Sequence, residues 1–149
     1  MTTAGDFPTL GAFVPADTQA GALTIIEDAE GRILLQLRDL KDGIYWPGKW
    51  GLVGGGIEGG EDIMTAALRE IEEEVGLKLS AADLTPFVKT MSASERRSNL
   101  YIFHTQLDLS PSDICLGEGA GFAFWTRAQI TKVDILDSLE PVLKKFLSA

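Results

Sequence analysis

The stretch "GGGIEGGEDIMTAALREIEEEVGL", from Gly54 to Leu77, most constrains what this chain can fold into. Five glycines occupy its first seven positions, and four glutamates stand among the five residues from Glu70 to Glu74. The glycines read as a flexible turn, and the residues after them read as a helix. On a helix over Asp62 to Val75, at about 100° per residue, Met64, Leu68, Ile71 and Val75 form one apolar stripe that should pack on a sheet. Glu70, Glu73 and Glu74 fall on a neighbouring face about 100° wide. Glu61 and Asp62 sit at the helix start, where the dipole favours negative charge. Gly76 is placed to end the helix in a left-handed conformation.

A run of glutamates on a helix ordinarily faces water. Two features argue otherwise here. Glu70, Glu73 and Glu74 repel one another at i, i+3 and i+4, with only Arg69 offering relief on the helix. The cluster also follows glycines, which let backbone come very close to a ligand. Converging carboxylates and a backbone carbonyl are hard oxygen donors of the kind Mg²⁺ or Mn²⁺ prefers, often shared with substrate phosphate. The residues therefore suggest that the negative charge holds a metal and the metal holds phosphate.

The rest of the chain narrows the classes. With 149 residues, 45% of them hydrophobic, it is the size of one ordinary domain and can bury a core. No apolar run reaches the roughly 18 residues of a membrane span, and "MTTAGDFPTL" lacks the basic and apolar parts of a signal peptide. Cys115 is the single cysteine, which excludes an internal disulfide and suits a reducing cytoplasm. A net charge of -9 would repel a nucleic-acid polymer but not a small anion bridged by a cation. The oligomeric state stays open, a homodimer included.

Residues 1–18 carry the least pattern and are expected to form a loose arm or an edge strand. Ala22 to Ile26 and Ile33 to Leu37 read as strands around the turn "DAEGR". "DLKDGIYWPGKWG" reads as loop, broken at Pro47 and Gly48. "LTPFVKTMSA" and "SNLYIFHTQLDL" look like an antiparallel pair around "SASERR", and "GFAFWT" like a short strand. "ILDSLEPVLKKFL" reads as an amphipathic helix with Pro141 near its first turn. The expected class is mixed α/β, of the α+β type, with a partly antiparallel sheet.

Gly55, five residues, Glu61, seven residues, then "REIEEEVGL" from Arg69 resembles the complete Nudix box, with every defining position filled. The flanks "GRILLQLRD" and "PGKWGLVGGG" are also similar to the family, except that Val53 stands where many members have proline. The resemblance implies a Nudix fold, a mixed sheet sandwiched between helices with the box as loop–helix–loop. It implies hydrolysis of a nucleoside diphosphate linked to another group, with Mg²⁺ or Mn²⁺. By motif position, Glu70, Glu73, Glu74 and the carbonyl of Gly54 would hold the metal. Arg69 would orient the carboxylates, and Glu61, with Gly55 and Gly76, would brace the loop against the helix. Many members add an acidic residue from a later loop, and here "LGEGAGFAFWT" offers Glu118, six residues before Phe124; the plain alternative is a loop glutamate.

Charge neutralisation and activation of water are what such a site must supply. A carboxylate then takes the proton, with Glu70, Glu74 and Glu118 as the alternatives. Arg38, Lys49, Arg96 and Arg97 are candidates to touch phosphate, each against the alternative of a solvated cation. Tyr45, Trp46 and Trp50 are candidates to stack on a base, although Trp50 reads better as core. His104 reads as structural, and Cys115 as a small buried or half-buried residue. Sub-family markers exclude more than they select. The coenzyme A motif is missing, Ser92 and Ala93 stand where the ADP-ribose type tends to have proline, and Ser94 stands where the diadenosine-polyphosphate type tends to have tyrosine. The box is whole, unlike that of the GDP-mannose type, and Cys115 lies far from the isomerases' cysteine context. A nucleoside triphosphate and a nucleotide sugar or similar conjugate remain as substrates. The alternative to a hydrolase is a nucleotide-sensing Nudix-fold domain with little or no catalysis.

Overall fold

The apolar runs on either side of "DAEGR" extend as strands β1 (Ala20–Glu27) and β2 (Ile33–Leu37). Asp28 closes the turn between them. Its Oδ1 accepts the amide N–H of Glu30 at 3.0 Å and of Arg32 at 2.8 Å, and its Oδ2 accepts Arg32 Nε at 2.7 Å. Burial pushes the Asp28 carboxyl up, but the Arg32 backbone and side chain and the Glu30 amide outweigh it and hold the group below the usual carboxylate range.

The structure is a computed structural model that describes residues 1–15, 19–39, 48–93, 97–117 and 119–148. Among these, the remaining strands are β3 (Trp50–Gly51), β4 (Val53–Gly56), β5 (Thr85–Met91), β6 (Asn99–Gln106) and β7 (Gly121–Trp125), with helices α1 (Ile63–Val75), α2 (Arg127–Ile130) and α3 (Glu140–Leu147). The strands join one mixed sheet in the order β3-β2-β1-β6-β5, with β4 on β1 and β7 on β2. β1 and β6 run parallel along their whole length, while the other strand pairs are antiparallel. β1 and β2 share only the register pair Glu27↔Ile33 and then part. The chain from Trp50 to Gly56 fills the wedge, Gly51 opposite Gln36 and Gly55 opposite Ala22.

Each face of the sheet carries its own core. On one, Ile25, Leu35 and Ile102 pack against Leu139, Val142, Leu143 and Phe146 of the α3 region. On the other, Ala22, Ile26, Val53 and Phe103 pack against Ala66, Ala67, Ile71 and Val75 of α1. The expected α+β sandwich, with helices on both faces, is the one observed. Burying a side chain such as Ile71 is worth about 1.5–3 kcal/mol, so α1 is held mainly by this face. No helix among the described residues is long and apolar enough to cross a membrane.

Several expectations need correction. Gly54 to Gly56 lie in strand β4 and only Gly59 and Gly60 form a turn, and Trp50–Gly51 pairs with β2 where a loop was expected. The reason is the wedge, whose open strand edges take up backbone hydrogen bonds that the glycine content does not advertise. Of the two expectations for the start of the chain, its described part follows the sheet edge and not the loose arm, with Thr9 bridging Lys89 and Phe7 buried against Tyr101 and Phe103. The C-terminal helix begins only at Glu140, with Pro141 in its first turn as expected. The segment before it is taken by Trp50, whose N–H donates to the Asp134 carbonyl and whose carbonyl accepts from Leu136, each at 2.9 Å. Helix α2 was missed, although Thr126 and Gln129 cap each other in a T-x-x-Q box that the sequence spells out. Cys115 is exposed, not buried, because its segment lies over the end of α1 and outside the core.

Candidate active site

Helix α1 starts where Asp62 accepts the Met64 amide at 3.1 Å and ends at Gly76, whose φ of 74° only glycine adopts without strain. Its packed face is rotated from the expected stripe. Ala67, Ile71 and Glu74, spaced four and three, lie against the sheet with Val75, while Met64 and Leu68 are half-buried. The two alanines let the helix approach closely, and that brings Glu74 into the interface. Glu74 is buried, and its Oε1 accepts the Gly54 N–H at 2.8 Å. β4 and α1 are thereby locked at the point where the Gly54 carbonyl was expected to help hold a metal.

The glycines serve close approach. A Cβ built on Gly54 would overlap the Ala22 carbonyl and the Leu23 side chain. A Cβ on Gly55 would stand 2.7 Å from the Glu70 carboxylate. The Glu70 head group therefore rests directly on the β4 backbone.

Arg69 is the hub. Its Nε and Nη2 grip the two oxygens of Glu61 at 2.8 and 3.0 Å. Nη2 also donates to the Gly56 carbonyl at 3.0 Å, and Nη1 donates to Glu70 at 3.0 Å and Glu73 at 3.2 Å. Glu58 adds a longer ion pair at 3.8 Å. The Glu61 fork raises the guanidinium pKa further, against the effect of burial and with help from Glu70. Glu61 moves the other way: the Arg69 hydrogen bonds hold it below the usual glutamate range despite partial burial, helped by the Glu58 amide. Glu61 and Arg69 thus tie loop to helix, as the motif implies. Glu58 and the Gly56 carbonyl are partners that reading the sequence did not single out.

The structure brings Glu70 and Glu73 to one guanidinium and turns Glu74 toward β4. Among the described residues, no group of three or more His, Cys, Asp or Glu side chains is gathered as a ready metal cage. The donor chemistry still fits a hard divalent cation. Two carboxylates, Glu70 and Glu73, meet at a single cation-holding point beside the β4 backbone, and Arg69 supplies there the positive charge that a metal would supply.

Near this point lies a cavity of about 470 Å³, lined by Arg38, Leu23, Gly55, Gly56, Ser98 and Leu100 among others. Arg38, a candidate phosphate contact, thus lies beside Gly55 and Gly56. Arg97 is exposed, has a φ of 49° and precedes Ser98 of the cavity wall. Lys49 is turned to the other face, pairing with Asp137 at 3.2 Å and Asp134 at 3.6 Å. The Asp137 hydrogen bond, opposed by burial and aided by Asp134, raises its pKa. Trp50 stacks edge-on against Trp125 at 5.1 Å in the α3-side core, as the core reading expected. His104 lies away from the box, 2.7 Å from the buried Glu27, which also takes Arg127 at 3.1 Å. Glu118, Arg96, Tyr45 and Trp46 lie outside the described residues. A second cavity of about 410 Å³, walled by Ile130, Val133, Leu143 and Leu147, touches none of the α1 glutamates.

Comparison with known proteins bears on this geometry. A family model described as the NUDIX domain matches residues 17–147. A nucleoside triphosphatase, NudI, of Salmonella arizonae is 37% identical over 93 residues, covering 56% of this chain and 65% of that protein. The match thus spans somewhat under two thirds of that relative's length. Among solved structures, work on MutT from Aliivibrio salmonicida and Vibrio cholerae supplies a match with a TM-score of 0.67 at 21% identity, covering 87% of this chain and 97% of that one. The E. coli dihydroneopterin triphosphate pyrophosphohydrolase matches with a TM-score of 0.68 at 22% identity, covering 87% and 94%. At these identities the structural matches speak for the fold.

Proposed function

The chain belongs to the Nudix family, and from that premise we propose that it hydrolyses a pyrophosphate bond in a nucleoside diphosphate derivative with the help of Mg²⁺ or Mn²⁺. The observation that carries this reading is Arg69 holding Glu70 and Glu73 at one point, beside a glycine strand and a cavity that contains Arg38.

Glu70, Glu73 and Glu74, with the Gly54 carbonyl, are the residues that would hold the cation. When bound, the cation supplies charge neutralisation and Lewis acidity for an anionic substrate. The chain's own residues do the rest. Arg38 binds phosphate from the cavity wall, and Gly55 and Gly56, which line the same cavity without side chains, let the substrate come against backbone. Glu61 and Arg69 fix the loop, so that the carboxylates meet the substrate already placed. Glu70, Glu74 or Glu118 accepts the proton of the attacking water.

Nucleoside triphosphates stand first among substrates, supported by the likeness to NudI, and nucleotide sugars second. Incubation with a panel of both, with and without Mg²⁺, tests the proposal. Release of pyrophosphate or phosphate with a nucleotide product is expected only with the metal. Tight binding without turnover across the panel would instead favour a nucleotide-sensing domain.

A further inference from the structure

We propose that the segment Cys115–Gly117 is a strap that positions Glu73 and Glu74, and that Gly117 is its positioning residue. The proposal rests on the hydrolase reading for its kinetics but not for its geometry.

An α-helix leaves its last four carbonyls without intrahelical partners. In α1 these belong to Glu72, Glu73, Glu74 and Val75. The Gly76 N–H donates to the Glu72 carbonyl at 3.0 Å. The Cys115 N–H donates to the Val75 carbonyl at 3.0 Å, and the Gly117 N–H to the Glu74 carbonyl at 2.7 Å. The last turn holds no basic residue, so these amides supply the positive dipole end that a lysine or arginine often supplies. The strap crosses so closely that a Cβ built on Gly117 would overlap the Glu73 carbonyl oxygen. Gly76 faces it closely too, its own Cβ position lying 3.0 Å from Cys115 Cβ.

The far end is tied as well. The Ala120 N–H donates to the Leu37 carbonyl at 2.9 Å. Gly119 has a φ of 90°, and a Cβ there would stand 2.8 Å from Gln36 Nε2 and 2.9 Å from the Leu37 carbonyl. Gly117 and Gly119 therefore serve close packing on α1 and β2, respectively. The backbone that the strap touches is that of Glu73 and Glu74, two of the residues proposed to hold the cation. Pushing those peptides aside moves both carboxylates at once.

The probe is Mn²⁺ alone, titrated by electron paramagnetic resonance on the full chain, alongside steady-state kinetics on the best panel substrate. Gly117→Ala is expected to weaken Mn²⁺ binding and to lower kcat, each by roughly tenfold to a hundredfold, with KM changed little. Gly121→Ala, whose Cβ meets nothing within 4 Å, serves as the control and should match the parent in both. A Gly117→Ala protein with parental Mn²⁺ affinity and kcat overturns the proposal. If that variant does not fold, hydrogen exchange in the unaltered chain decides. Slow exchange of the Gly117 and Cys115 amides supports the strap, and exchange at unstructured-peptide rates overturns it. Failure of the hydrolase reading looks different: the parent binds Mn²⁺ and the variant binds it less well, yet neither turns over any nucleotide.

Discussion

Replacing Arg69 by alanine should destabilise the metal-free protein and make it far more responsive to Mg²⁺ than the parent. In the structure one guanidinium serves Glu61, Glu70, Glu73 and the Gly56 carbonyl, all within 3.2 Å. The Glu61 and Glu70 side chains are each only 12% exposed, so both are left as poorly hydrated carboxylates once the cation is gone. Breaking a buried ion pair by removing one partner costs about 3–5 kcal/mol. Arg69 keeps 22% of its side chain exposed and Glu73 keeps 57%, so solvent screens part of the loss. The expected cost in metal-free buffer is therefore about 2–4 kcal/mol. For a chain of this size each kcal/mol moves Tm by about 2–4 °C, so Tm should fall by roughly 5–15 °C. Saturating Mg²⁺ should restore more than half of that fall, because a cation binding only the folded state stabilises it by mass action and here takes over the guanidinium's charge. Differential scanning fluorimetry with chelator and with Mg²⁺, on parent and variant, measures all four values. A variant as stable as the parent in chelator, or one that gains no more from Mg²⁺ than the parent does, refutes the reasoning that Arg69 stands in for the metal's charge.

Glu73→Gln and Glu74→Gln should each cut turnover by two or more orders of magnitude. Exposed Glu73 should cost less than about 1 kcal/mol in stability by urea titration, since it loses one i,i+4 ion pair. Gly55→Ala should displace the Glu70 carboxylate and lower kcat at least about tenfold, with Gly59→Ala, whose Cβ meets nothing within 4 Å, leaving the rate unchanged in the same assay. Because Arg69 holds the Glu61 pKa down, that pair's stabilisation is present above the ordinary glutamate pKa of about 4.3 and is lost as pH falls through the lower folded value. A Tm series from pH 7 to pH 3 should show this acid loss, and Glu61→Gln should flatten it. Ile71→Ala, at the centre of the α1 interface, should cost about 2–5 kcal/mol by urea titration while leaving the far-UV spectrum native-like.

What the sequence by itself determined is whatever depends on near neighbours along the chain. The start of α1 at Asp62 and its stop at Gly76 come from capping chemistry. The strands around "DAEGR" come from apolar runs and a turn. The pairing of Glu61 with Arg69 was expected only from the resemblance to the Nudix box, since Glu61 lies in the loop before α1. Only the tertiary structure decided the rest, because it depends on where distant segments meet. The wedge between β1 and β2 turned glycines that look like a turn into strand β4. Packing on Ala66 and Ala67 rotated α1 until Glu74 faced the sheet and bonded Gly54, whereas a helical wheel leaves it beside Glu70 and Glu73. Asp134 and Asp137 drew Lys49 to the face opposite the carboxylates. The Cys115–Gly117 strap reaches α1 from some forty positions away in the sequence, and its amides find carbonyls that no local pattern announces. A backbone carbonyl carries no side-chain identity, so the sequence has no letter for which distant amide will complete it.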